Sequence, residues 1–314
     1  MSAAGSDQLF RHEALLYEGD EQFLAGAIPF IVGALTAAEP IVVAVDRAKI
    51  GLLRSKLGAG AEFVHFADMR EVGANPARLI PAWREFIDAR AAQGRRIWGI
   101  GEPIWAGRSE AELVECQLHE ALLNLAFADA GPLSFLCPYD MGALEAGVIA
   151  EAYRSHATVL QDGTRRESHS FCGAAAAAAP SVEPLTEPPG RVAERTFTAG
   201  GLAGVRQFVA GRARVAGLSS ARGDDLVLAV NEVASNSVRH GGGSGTLRVW
   251  RESGSLICEV RDRGRLHDPL AGRRRPDLEE IGGHGLWIVN QVCDLVQLRS
   301  FPDGSAVRIH MRTT

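Results

Sequence analysis

The chain has 314 residues, a formal net charge of -5 at pH 7, 46% hydrophobic and 23% charged residues. That length predicts two domains, and the composition is that of an ordinary globular protein, which excludes disordered and fibrous classes. The acidic balance gives no electrostatic case for direct nucleic-acid binding, and Met1 to Asp7 carries no basic n-region, so no secretory signal is expected.

In chain order, Phe23 to Val45 is nearly all apolar, but Pro29, Glu39 and Pro40 interrupt it. Asp20 is expected to cap a helix from about Glu21 to Ala37, with Ile41–Val45 a separate buried strand, so no membrane span is predicted. Lys49–Leu57 reads as helix and Glu62–Phe66 as a short strand. Asn75–Gln93 reads as a helix with Leu79, Ile80, Trp83, Phe86 and Ile87 on one side. Arg96–Ile100 is a strand, Glu110–Phe127 a long helix and Leu133–Pro138 a strand. Repeated strand–helix units predict an α/β domain with a parallel, doubly wound sheet. The loop Asp46-Arg47-Ala48-Lys49-Ile50-Gly51 lacks the Gly-x-x-x-x-Gly-Lys-Ser/Thr pattern, so no ordinary P-loop is expected. The five cysteines (116, 137, 172, 258, 293) show neither paired metal spacing nor a disulfide framework, which reads as a reduced, cytoplasmic protein. Cys172 to Arg191 holds an alanine run (174–179) followed by Pro180, Pro184, Pro188 and Pro189, which is linker composition.

Beyond the linker, Glu232, Asn236 and His240 recur at helical spacing. At roughly 100° per residue they share one face, opposite Val227, Val230, Ala234 and Val238. Thr246–Arg251 and Leu256–Arg261 read as strands joined by a turn at 252–255. Asp262 then ends a strand, where a carboxylate can accept from an exocyclic amine, and Gly264 leaves room for a base. Gly282, Gly283 and Gly285 precede an apolar helix over 286–292, whose free N–H groups favour phosphate. Taken singly, these features read as a surface helix and two turns. Their order and spacing together point to a nucleotide site.

On these motifs, residues about 195 to 314 resemble the GHKL ATPase family, whose fold is the Bergerat α/β sandwich. Glu232 and Asn236 match its N box, Asp262 and Gly264 its G1 box, and Gly283 and Gly285 its G2 box. Asn-Ser-Val-Arg-His-Gly (236–241), Gly-Leu-Trp-Ile-Val-Asn-Gln-Val-Cys-Asp (285–294) and the final Gly304–Ile309 are similar to the anti-sigma serine kinases of the RsbW and SpoIIAB type. The G1 box departs from Asp-x-Gly-x-Gly at Leu266, and His284 fills a variable G2 position. The resemblance implies ATP and Mg²⁺ as cofactors. Asn236 would ligate Mg²⁺, which keeps several waters, and Glu232 would act as general base toward an attacking hydroxyl. Asp262, with Ser305 near the adenine, would fix the base. His240 is placed with the nucleotide-binding residues, residues 282–285 would hold phosphates, and 265–281 would form a lid. Within that lid, Arg273-Arg274-Arg275 is either a phosphate contact or a solvated run.

Residues about 8 to 165 resemble the MEDS sensory domain, a RecA-like module of actinobacterial regulators. The residues that carry this are His12-Glu13-Ala14-Leu15-Leu16-Tyr17, Gly101-Glu102-Pro103-Ile104-Trp105 with Arg108, Glu120 with Asn124, and Cys137-Pro138-Tyr139-Asp140. The resemblance implies sensing or docking rather than hydrolysis. His12, Tyr17, Glu102, Trp105 and Arg108 either line a pocket for a small ligand or pin the fold.

The expected organisation is a sensory domain over 8–168, a linker over 172–192 and an ATPase domain over 195–314. Three functions fit. An anti-sigma factor with serine/threonine kinase activity would bind a sigma factor, phosphorylate a STAS-type antagonist and pair as a homodimer. A sensor histidine kinase would use His119 on the long helix, although a strand and the linker separate that residue from the ATPase boxes. An ATP-occupancy switch would transfer nothing.

Overall fold

The computed structural model describes residues 10–90, 95–177, 181–276 and 283–313. The chain divides into two units, Met1–Ala74 with Ala82–Ala177, and Asn75–Pro81 with Ala178–Thr314.

The first region of the chain forms β1 (Phe10–Tyr17), α1 (Gly19–Thr36), β2 (Ile41–Val45), α2 (Arg47–Leu57), β3 (His65–Asp68), α3 (Met69–Val72), α4 (Leu79–Asp88), β4 (Ile97–Gly101), α5 (Glu110–Ala126), β5 (Leu133–Asp140), α6 (Ala146–Ser155), β6 (Thr158–Gln161) and β7 (Thr164–Glu167). The sheet order is β3-β2-β4-β5-β1-β6-β7. Every pair is parallel except the β6–β7 edge hairpin. The Val/Ile run of β2 is buried throughout because both sheet faces are covered. Alternation along β1 sends Leu15 and Tyr17 into one core and Ala14 and Leu16 into the other.

Several expected boundaries move. Glu18, not Asp20, is the N-cap of α1, and Asp20 sits in the first turn, where its charge opposes the positive end of the helix dipole. Residues Gly58–Phe63 form a 3-10 turn, so the next strand starts at His65 rather than Glu62. Asn75 caps a 3-10 turn instead of opening a long helix, its Oδ1 accepting from the Ala77 amide at 3.1 Å, with Pro76 fitting the first position. The expected helix to Gln93 ends at Asp88, and 91–94 lie outside the described residues. The start of the alanine run is not free linker, since Gly173–Ala177 is a 3-10 turn with Ala176 and Ala177 buried.

The second unit contains β8 (Ala193–Thr198), α7 (Leu202–Ala216), α8 (Ser220–His240), β9 (Ser244–Glu252), β10 (Ser255–Asp262), α9 (His284–Val292), β11 (Leu295–Phe301) and β12 (Gly304–Arg312). Its antiparallel sheet runs β11-β12-β10-β9-β8. Ser253 and Gly254 both have positive φ (48° and 73°), the two-residue turn that matches strand twist between β9 and β10. Ser219 caps α8 through the Arg222 amide. The buried stripe of α8 is Leu226, Ala229, Val230, Val233, Ala234 and Ser237. Val227 and Val238, expected on the same apolar side, flank it half-buried. The end of the predicted linker is fastened to this sheet: Glu187 bridges Arg248 and Arg261, and Arg308 donates to the Thr186 carbonyl. Asn75 and Arg78, which belong to this unit, donate to the carbonyls of Asn290 and Cys293. Those carbonyls lie at the C-terminal end of α9, where helices lack intrahelical partners. No helix among the described residues is long and apolar enough to cross a membrane.

Candidate nucleotide-binding site

The antiparallel register of β10 and β12 places Ser305 directly opposite Asp262. Ser305 Oγ donates to Asp262 Oδ1 at 2.8 Å, and the Gly264 amide donates to the same oxygen at 2.8 Å. Asp262 is therefore held in one orientation, with Oδ2 left to accept from a ligand. Three glycines make this possible. A Cβ on Gly241 would lie 2.6 Å from Asp262 Oδ2, one on Gly264 would lie 2.9 Å from the Gly241 Cα, and one on Gly304 would collide with the Asp262 backbone. Chain crossings this close admit no side chain.

The other end of the site is the start of α9. Gly283 precedes it in the left-handed region (φ 78°), and no side chain caps the helix, so its first amides are unsatisfied within the helix. A Cβ on Gly285 would sit 3.0 Å from Glu232 Oε2 and 3.4 Å from Asn236 Nδ2. The polar face of α8 thus meets the beginning of α9. A cleft of about 680 Å³ runs between the two ends, a volume normal for a small-molecule site. Asn236, His240, Asp262, Gly264, Gly283, Gly285 and Ser305 line it, with Val233, Leu286 and Val307 as apolar wall. Glu232 is not among the lining residues, but its Oε2 reaches the Gly285 end of the cleft. Gly282 lies outside the described residues.

Parts of this arrangement were not expected. Arg274 and Arg275 are exposed and line the cleft, whereas Arg273 is buried at 5% exposure, so the triple-arginine run is neither wholly solvated nor one patch. Leu266 takes the place of a glycine without opening the site: its amide donates to Ser300 Oγ at 3.0 Å, and it lines the cleft. Asn290 Nδ2 holds the Gly272 carbonyl at 2.9 Å and so ties the loop after β10 to α9. A lone Asn inside an apolar helix was the available signal for that role.

Of the residues expected for a sensory pocket, Tyr17 meets Glu102 and Arg108 meets Trp105, while His12 meets other partners. Tyr17 donates to Glu102 Oε1 at 2.5 Å, and Lys49 Nζ lies 2.9 Å from both Glu102 oxygens. Burial pushes the Glu102 carboxyl upward, and Lys49 opposes that shift. Arg108 stacks 3.6 Å above the Trp105 ring and donates to the Pro103 and Gly73 carbonyls. His12 lies five positions before Tyr17 on β1, so it projects to the opposite face of the sheet. There it meets Glu120 and Asn124. His119, the alternative phosphoacceptor, is 1% exposed within α5.

Comparison with known proteins agrees with the two regions. The model of the MEDS family (MEthanogen/methylotroph, DcmR Sensory domain) matches residues 11–157. That of the histidine kinase-like ATPase domain matches residues 196–311. Among solved structures, the chain is similar to the RsbU and RsbW domains of a Mycobacterium tuberculosis protein, with 17% identity, TM-score 0.30 and coverage of 40% of this chain and 33% of that one. It is also similar to the Acinetobacter baumannii histidine kinase AdeS, with 12% identity, TM-score 0.23 and coverage of 40% and 70%. The chain thus spans about a third (33%) of the first of these structures. No curated protein matched. The chain joins an N-terminal MEDS domain to a C-terminal histidine kinase-like ATPase domain of the GHKL type.

Proposed function

We propose that this protein is an ATP-dependent anti-sigma factor whose GHKL domain phosphorylates a serine or threonine of a STAS-type antagonist, and that its MEDS domain regulates the switch. The observation that carries the reading is the continuity of one cleft. Its one end is a carboxylate oriented for a base (Asp262, held by Ser305 and Gly264), and its other end is the uncapped start of α9 beside Asn236. A nucleoside triphosphate needs an amine acceptor at the base end and an anion site of this kind at the phosphate end. Asp262 Oδ2 would accept from the adenine amine, and the first amides of α9, with Arg274 and Arg275, would face the phosphates. Asn236 would hold Mg²⁺, which when bound neutralises charge on the phosphate oxygens. Glu232, next to Gly285, would take the proton from the attacking hydroxyl. Sequestration of a sigma factor and pairing as a homodimer belong to the same reading and rest on the likeness of residues 236–241 and 285–294 to the anti-sigma kinases.

The burial of His119 speaks against the histidine kinase alternative, since a phosphoacceptor must reach the γ-phosphate. The test is transfer from γ-labelled Mg-ATP by the full chain, alone and with STAS-type antagonists, followed by acid. Acid-stable label on an antagonist is expected. Acid-labile label on the chain itself would overturn the serine/threonine reading. Bound ATP with no transfer to any antagonist would replace it with an occupancy switch.

A further inference from the structure

A second cluster, in the first unit, takes no part in the chemistry above. His12 on β1, Glu120 on α5, Cys137 on β5 and His156 just past α6 are 5%, 1%, 3% and 0% exposed. One donor atom from each lies within 4.8 Å of all the others. His12 Nε2 is 3.1 Å from Glu120 Oε2 and 3.4 Å from Cys137 Sγ, and His156 Nε2 is 3.4 Å from Glu120 Oε2.

The hydrogen bonds around the cluster decide which ring nitrogens carry protons. Asn124 Nδ2 donates to the Ser155 carbonyl at 2.8 Å, which leaves Asn124 Oδ1 as an acceptor, 3.2 Å from His12 Nδ1. His12 therefore keeps its proton on Nδ1. His156 Nδ1 lies 2.8 Å from the Ala152 carbonyl and must donate to it. In the neutral rings both Nε2 atoms are bare lone pairs, and both face a carboxylate. That geometry is repulsive unless a cation stands between the groups. The two imidazole rings lie 4.0 Å apart between centroids, so a single ion can meet both. His156 Nε2 and Glu120 Oε1 are buried with no hydrogen-bond partner among the described residues. Both atoms keep a lone pair that a cation can take.

We propose that His12 Nε2, His156 Nε2, Cys137 Sγ and Glu120 hold one zinc ion at the junction of β1, α5, β5 and the end of α6. Bonds of about 2.0–2.3 Å to a tetrahedral ion give donor–donor edges of about 3.3–3.8 Å, and the three close separations are 3.1, 3.4 and 3.4 Å. Two imidazoles, one sulfur and one carboxylate suit zinc, whereas calcium and magnesium take oxygen donors. On binding, the Cys137 thiol releases its proton to solvent, the sulfur gives an electron pair to the ion, and no redox change occurs. Asn124 and the Ala152 carbonyl orient the two imidazoles from behind, as supporting residues do in zinc sites. Four protein ligands close the coordination sphere, so the ion's role is to staple this unit.

The test uses the full chain, stripped of metal and titrated with Zn²⁺ against a chromophoric chelator, and separately with Co²⁺. One equivalent per chain is expected, with a cobalt spectrum showing four-coordinate d–d bands and a sulfur charge-transfer band. Cys137→Ala is expected to abolish the charge-transfer band, while Cys258→Ala keeps it. Asn124→Ala is expected to weaken zinc about 10- to 100-fold without removing a ligand. Less than about a tenth of an equivalent bound by the wild-type chain, with no cobalt bands, would overturn the proposal and leave a buried Glu–His ion pair. Stoichiometric zinc that survives Cys137→Ala unchanged, charge-transfer band included, would overturn it too. If Cys137→Ala does not fold, the sulfur band of the wild-type cobalt protein still decides.

Discussion

In the proposed reading Asp262 holds the base and Glu232 takes the proton, and each role can be tested alone. Asp262→Asn keeps the shape but exchanges an acceptor for a donor where the adenine amine is proposed to bind. A hydrogen bond to a charged group contributes about 1.5–3 kcal/mol, so ATP affinity measured by calorimetry is expected to fall about 10- to 150-fold. Affinity within twofold of wild type would remove Asp262 from the base site. Glu232 is at the Gly285 end of the site and is not among the lining residues. Glu232→Ala is therefore expected to leave ATP affinity unchanged and to slow phosphate transfer by about 10²–10⁴. Normal transfer by that variant would exclude the carboxylate as base.

At the scale of elements, the site is the meeting of α8 with the start of α9, and glycine sets the distance. The Cβ of Gly285→Ala would meet Glu232 Oε2 at 3.0 Å and Asn236 Nδ2 at 3.4 Å. Such contacts force the two helices apart by a few tenths of an ångström or turn both side chains. The expected result is a selective loss of the Mg²⁺-dependent part of ATP affinity, while nucleotide binding in EDTA is retained. Equal affinities with and without Mg²⁺ in both proteins would show that this junction holds no metal. On the sheet side, the β10–β12 register does comparable work by bringing Ser305 to Asp262.

At the scale of the whole molecule, the two proposed chemistries belong to different units, and a lesion in one should leave the other's ligand untouched. Lys49 is the cation that faces Glu102, whose side chain is 4% exposed. Lys49→Met leaves that carboxylate buried without its charge partner, and breaking a buried pair in this way costs about 3–5 kcal/mol. The urea midpoint of the first unit is expected to drop while ATP affinity stays at the wild-type value. Saturating Mg-ATP, at 100 times its dissociation constant, should stabilise the second unit by about 2.7 kcal/mol. A loss of ATP affinity in Lys49→Met that matched the loss of stability would show that the two units fold as one.

The sequence by itself determined the two regions, the strand–helix alternation of the first, and the boxes of the second. These are short-range features: Glu232, Asn236 and His240 share a face because a helix turns about 100° per residue, and Gly283 and Gly285 announce a helix start within a few positions. Only tertiary structure decides that β1 lies between β5 and β6. Strand order depends on pairings that local periodicity does not encode. That order, with the alternation of β1, separates His12 from Tyr17 and splits the expected sensory pocket. It also gathers His12, Glu120, Cys137 and His156 from distant parts of the chain, which is why cysteine spacing alone showed no metal pattern. The same holds for Lys49 beside Glu102 and Asn290 beside Gly272. Each of these contacts exists because packing brings together residues whose chemistry is plain in the sequence but whose proximity is not.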